Sequence, residues 1–161
     1  MKAFRFNLFL VGMMMAMPML PAQDVKPVAA QVPTELKPFS GVWKPESIIH
    51  DGKQHADATA RERIRLSIEN NQYKMFYVTD AAKGLGQRLA TSLLSVDSSS
   101  KQFELVFADG PRKGETLHGI YEVTEKTLKI CYGPAGKNAR PTKFDAPTGS
   151  GFFCETWTRE K

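Results

Sequence analysis

Asp109-Gly-Pro-Arg-Lys-Gly-Glu-Thr-Leu-His-Gly-Ile-Tyr-Glu-Val-Thr-Glu-Lys-Thr-Leu-Lys-Ile-Cys-Tyr132 reads as a β-hairpin entered through a tight turn. Asp109-Gly110-Pro111 is turn chemistry: Asp bonds its own backbone, Gly accepts positive φ and Pro fixes φ in advance. Leu117, Gly119, Tyr121 and Val123 alternate along one arm, and Leu128, Ile130 and Tyr132 along the other. That period of two belongs to strands with one buried face. Polar Thr124-Glu125-Lys126 reverses the chain between the arms.

The same pattern extends outward in both directions. Phe39-Ser-Gly-Val-Trp-Lys44 opens a strand that runs to Ile49 and breaks at the Asp51-Gly52 turn signal, after which the polar, Ala-rich residues 54–63 suggest a short helical turn. Ile64, Leu66 and Ile68 alternate up to Asn70-Asn71, and Tyr73, Met75 and Tyr77 resume at once as the second arm of another hairpin. Lys83-Gly-Leu-Gly86 predicts a loop, Arg88–Val96 a strand of less regular alternation, Asp97-Ser-Ser-Ser100 a turn, and Phe103, Leu105 and Phe107 a further strand. Beyond the central hairpin, a Pro- and Gly-rich loop runs from Gly133 to Ser150, and Gly151–Arg159 forms the last strand. Eight strands joined by short polar turns, with no strong amphipathic helix between them, predict an all-β fold: an eight-stranded up-and-down antiparallel β-barrel, with a two-sheet β-sandwich as the alternative.

At 161 residues, with 42% hydrophobic side chains that include ten Phe, four Tyr and two Trp, the chain can build one core. Residues 1–22 read as a secretory signal peptide, with an uncleaved anchor as the alternative: Lys2 and Arg5 form the basic start, Phe6–Met17 the apolar run, and Pro18–Ala22 the cleavage region. The run is shorter than the roughly 20 residues of a spanning helix, so no membrane span is expected after cleavage. No Cys lies near the cleavage region to carry a lipid anchor. Residues 23–38, with Pro27, Pro33 and Pro38, predict a flexible linker, and 39–161 the barrel domain. The expected location is outside the cytoplasm, periplasmic or extracellular. Without residues 1–22 the chain keeps twenty basic and seventeen acidic side chains. This scattered balance argues against a nucleic-acid partner, which requires a basic stripe on a recognisable module.

Asp109-Gly-Pro-x-Lys-Gly114, Gly119-Ile-Tyr121, Leu128-Lys-Ile-Cys131, Arg140-Pro141 and Phe144 resemble the core motif of an uncharacterised lipocalin-like domain found in many planctomycete proteins. Gly41-Val-Trp43 and Asp51-Gly-Lys53 fall where that family has its opening strand and first turn, so the resemblance covers Phe39–Lys161. The family commonly has a Pro- and Lys-bearing segment after the residue equivalent to Asp97; here Ser98-Ser-Ser-Lys-Gln102 stands in its place. The family is a domain of unknown function, so the resemblance implies a fold and no reaction.

Gly41-x-Trp43 and Arg159 are also similar to the general lipocalin pattern, in which a Trp on the first strand is covered by an Arg from the last. A guanidinium over an indole is a cation–π contact that would seal one barrel end. Cys131 and Cys154, the two cysteines of the chain, are expected to form a disulfide. If the last two strands pair antiparallel with Gly133 opposite Phe152, Cys131 falls opposite Cys154, and opposed Cα atoms about 4.5–5.5 Å apart lie within disulfide reach.

Other constellations are weak. His50, His55 and His118 lack the spacing of a zinc motif, so no metal is expected. Ser150 lies between glycines but outside any Gly-x-Ser-x-Gly elbow, and Gly84-Leu-Gly86 lacks the third glycine of a dinucleotide fingerprint. Asp109, Glu115, Glu122 and Glu125 sit on turns and an outer face, so no catalytic residue and no cofactor is assigned. Three functional readings stay open. The first is a non-enzymatic module binding a small apolar molecule inside the barrel, with Tyr73, Tyr77, Phe103, Phe107, Tyr121 and Tyr132 as lining. The second is an envelope interaction or scaffold module with a solid core, those aromatics simply filling the barrel, which acts through its outer face or residues 135–150, with protein partners unspecified. The third is an envelope enzyme.

Overall fold

The computed structural model describes residues 33–80 and 85–161. The expected signal peptide, the linker residues 23–32, and Lys83 and Gly84 of the expected loop lie outside the described residues. The elements in chain order are a 3₁₀ helix (Thr34–Phe39), β1 (Gly41–His50), β2 (Lys53–Gln54), α1 (Ala58–Arg63), β3 (Ile64–Glu69), β4 (Gln72–Asp80), β5 (Leu85–Asp97), β6 (Gln102–Phe107), β7 (Thr116–Val123), β8 (Thr127–Tyr132) and β9 (Phe153–Arg159).

Each large strand pairs antiparallel with its neighbours, and β9 pairs with β1 from Trp43↔Arg159 to His50↔Phe153, which closes eight strands into a barrel. The two-residue β2 folds back on β1 as an extra strand outside the ring. Closure removes the sandwich alternative, because a sandwich leaves edges that this ring does not have. The central hairpin forms with the two arms predicted, and its register sets Tyr121 opposite Ile130 and Val123 opposite Leu128.

Strand parity sorts the side chains. Leu66, Ile68, Tyr73, Leu94, Phe103, Leu105, Leu117, Tyr121, Leu128, Ile130 and Trp157 meet in one core. The irregular alternation of Arg88–Val96 has a local cause: Met75 pairs with Ala90 while Phe76 pairs with Arg88, so Leu89 is an unmatched bulge residue and stays exposed. Leu85 and Gly86, expected in a loop, instead begin β5.

The linker boundary is corrected. Residues 34–39 are not a free lead: they form the 3₁₀ helix, and Leu36 and Phe39 are buried in the core. Two apolar side chains three positions apart give this segment a reason to dock, which outweighs the disruptive reading of Pro33 and Pro38. Phe39 meets Tyr121 edge-on with ring centroids 4.8 Å apart, and its carbonyl accepts the Trp43 indole N–H at 2.9 Å.

That end of the barrel is finished by Arg159. Its guanidinium lies 4.0 Å from the Trp43 ring centroid, and it donates to the carbonyls of Ser40, of Pro38 at 2.7 Å and of Glu125 at 2.7 Å. Gly41 makes room for it, since a Cβ there would stand 2.6 Å from Arg159 Nη1, and Gly41 has φ +134°. A second close approach sits mid-wall at Gly119, where a Cβ would fall on the Phe103 ring.

Cys131 and Cys154 are disulfide-bonded, with Cα atoms 4.1 Å apart and directly opposed on β8 and β9. The pair lies on the outer face of the wall, where the loop between β8 and β9 covers Cys131 completely; Asp145 lies against its sulfur and Ala146 is buried nearby. Among the described residues no helix is long and apolar enough to cross a membrane.

Candidate functional site

The end of the barrel opposite Trp43 holds a pocket of about 420 Å³, lined by His50, Arg112, Leu117, Tyr132, Phe153 and the 133–135 and 151 backbone region. Five elements converge there: the last residue of β1, the first of β9, the last of β8, the turn between β6 and β7, and the start of β7 at Leu117. The β1–β2 turn is tied to this rim by Asp51, which takes the left-handed φ of 53°. Its carboxylate accepts from the Gly151 N–H at 2.9 Å and its own N–H donates to the Phe152 carbonyl at 3.0 Å. The Gly151 N–H is also the main reason the Asp51 carboxyl lies below its ordinary range.

One wall of the pocket is a stack of rings. His50 lies flat on Phe153 with centroids 3.9 Å apart and planes 13° apart, and Phe153 lies flat on Tyr132 at 5.4 Å and 11°. His55 meets both His50 and Phe153 edge-on, at 5.7 Å and 5.5 Å. The same pocket carries a cation: the Arg112 guanidinium stands 4.5 Å over the Phe107 ring, and its Nε donates to Glu115 at 2.9 Å.

Beneath the stack lies a buried carboxylate. Glu155 is 3% exposed and faces the interior between Ile48 and Ile130. Tyr132 Oη donates to its Oε1 at 2.6 Å and the Trp157 indole N–H donates to its Oε2 at 2.9 Å. Burial pushes the Glu155 carboxyl above its ordinary value, against the opposing effect of these two hydrogen bonds. Burial also pushes the Tyr73 and Tyr132 phenols well up, and the negative charge of Glu155 adds to the effect.

This geometry makes stability pH-dependent in a defined sense. A carboxyl whose folded pKa exceeds its unfolded value stabilises the fold fully below the unfolded pKa, and that contribution is lost as pH rises through the folded pKa. Glu155→Gln keeps the shape and cannot ionise. Urea melts across about pH 5 to 8 should therefore show the variant gaining on the parent as pH rises; parallel curves would contradict the assignment.

The six aromatic side chains expected to line a cavity separate into two groups. Tyr73, Phe103 and Tyr121 are buried in the packed core, because the half of the barrel near Trp43 is filled by large side chains such as Trp157, Leu66 and Leu128. Tyr77 and Phe107 are half-buried, Phe107 beneath Arg112. Of the six, Tyr132 lines the pocket. The cavity expectation therefore narrows to the open end.

Sequence reasoning missed His50 and Phe153 as a stacked pair, Arg112 as a rim cation, and Glu155. The signal for two of them was strand parity: the alternation that sends Trp157 and Arg159 inward on β9 also sends Glu155 and Phe153 inward. His118 is elsewhere, on the outer wall, where its Nδ1 lies 3.1 Å from Glu104 Oε1 and 3.3 Å from Arg140. Ser150 holds a turn, donating to the Pro147 carbonyl at 2.6 Å. Asp109 pairs with Arg88 at 3.0 Å and Glu122 faces Lys129 at 3.9 Å, both at the surface. Among the described residues no three His, Cys, Asp or Glu side chains cluster in a way that would hold a metal ion.

Comparison with known proteins adds no relative: no family model, no curated protein and no solved structure matches this chain.

Proposed function

We propose that this domain is an exported, lipocalin-like, non-enzymatic binding module that takes one small molecule with a flat, largely apolar body at the open end of its barrel. The observation that carries this reading is the pocket of about 420 Å³ walled by the His50–Phe153–Tyr132 stack. Ligand sites run about 300–1,000 Å³ and combine apolar or aromatic walls with a few polar groups. The closed half of the barrel is packed solid and serves as a rigid base for that mouth. Export is supported by the basic and apolar pattern of residues 1–22 and by a disulfide, which persists in oxidising compartments.

Native mass spectrometry of protein purified from its own envelope tests the reading. A retained small-molecule mass is expected with the natural chain, and its loss with Phe153→Ala, which removes the centre of the stack while leaving the Trp43 end untouched. A ligand mass unaffected by Phe153→Ala would place binding elsewhere and overturn the assignment of this site.

A further inference from the structure

The geometry points to a ligand class: a flat conjugated ring system bearing one carboxylate or comparable anionic group, its ring against Phe153 and His50 and its anion on Arg112. The inference rests on the binding reading above and adds the charge of the ligand.

Four observations carry it. The ring stack offers a wall of ring edges, because Phe153 is sandwiched between His50 and Tyr132 and both its faces are taken, and a flat ring packs on such a wall face-to-edge. Arg112 lines the same pocket, so ring wall and cation face one volume. Packing on Phe107 fixes the plane of the guanidinium, and Glu115 occupies its Nε edge, which leaves the Nη edge to meet an oxyanion pair. Arginine presents five donors in a planar fork that matches carboxylate geometry.

The neighbouring acids do not cancel this field. Glu115 engages Arg112 from the Nε edge in a half-exposed pair that solvent screens, and it is not among the residues lining the pocket. Glu155 lies below the stack with both oxygens occupied by Tyr132 and Trp157. Tyr132 spends its hydroxyl proton on that bond, so the rim's charged donor is Arg112.

Calorimetric titration with two probes of the same shape, 2-naphthoate and its neutral amide 2-naphthamide, decides the matter at low salt. The expected result is naphthoate binding at least about tenfold more tightly than naphthamide, a difference of about 1.4 kcal/mol. The preference should disappear in Arg112→Gln, with naphthamide affinity retained, and survive in part in Arg112→Lys, which keeps the charge and loses the fork. Phe153→Ala should weaken both probes. Equal affinities that Arg112→Gln leaves unchanged would overturn the ligand class and leave the binding site standing. Failure of both probes to bind the parent protein at millimolar concentration would overturn the site along with it. Circular dichroism of each variant separates these outcomes from loss of the fold.

Discussion

Trp43→Ala is expected to lower stability by about 3–5 kcal/mol, the range for truncating a large buried aromatic. Trp43 is fully buried, and its removal acts on three supports at once. The Phe39 carbonyl loses its indole donor, the Arg159 guanidinium loses the ring beneath it, and the core around Leu66 and Trp157 gains a cavity. A urea melt measures the change. A loss below about 1 kcal/mol, the scale of surface substitutions, would mean that this barrel end does not depend on the indole. Trp43→Phe keeps one aromatic ring and loses the N–H as Trp43→Ala does, so the gap between the two variants reports the packing of that ring alone.

Replacing both Cys131 and Cys154 with serine should remove about 3–3.5 kcal/mol, because on the loop-entropy model the bond restrains a loop of roughly two dozen residues in the unfolded chain. The native state offers little relief. Cys131 is fully covered by the loop that the bond closes, so a buried hydroxyl replaces a sulfur there. Comparing urea melts of the double variant with those of the oxidised and reduced parent separates the serine penalty from that of the missing bond. Oxidised and reduced parent proteins melting together would show that the bond contributes nothing.

The barrel was legible wherever a period of two met a clear turn. Residues 116–132 show this best, since Leu117 to Val123 and Leu128 to Tyr132 alternate cleanly on either side of a polar reversal. The disulfide register followed from the same arithmetic. Legibility failed where tertiary contacts overrule local signals. Leu36 and Phe39 look like incidental apolar residues among prolines until a barrel end exists for them to fill. The Leu89 bulge shifts parity within β5, and no single residue announces it. The mouth is harder still: His50, Arg112, Tyr132 and Phe153 come from four separate stretches, and their spacing carries no motif. Glu155 was readable in principle from β9 parity, but a Glu in an alternating strand reads as outward by default, and only its two buried donors make the inward position tenable.

The joint between β1 and β9 differs from every other joint in the ring. All other neighbours follow one another around the barrel, so each pair can form once a local stretch of chain is present. Here Glu46 meets Thr158 across 112 positions and Ser40 meets Arg159 across 119. Contacts this distant carry the largest loop-closure cost and the slowest search. A chain delivered amino end first must therefore hold β1 with one side unpaired until its last residues arrive. The covalent bond gives no help, since it ties β9 to β8 and leaves β9 and β1 joined by hydrogen bonds and packing alone. Sub-global opening should begin at this seam, so amide exchange along Lys44–Ile49 is set to outpace exchange in β8.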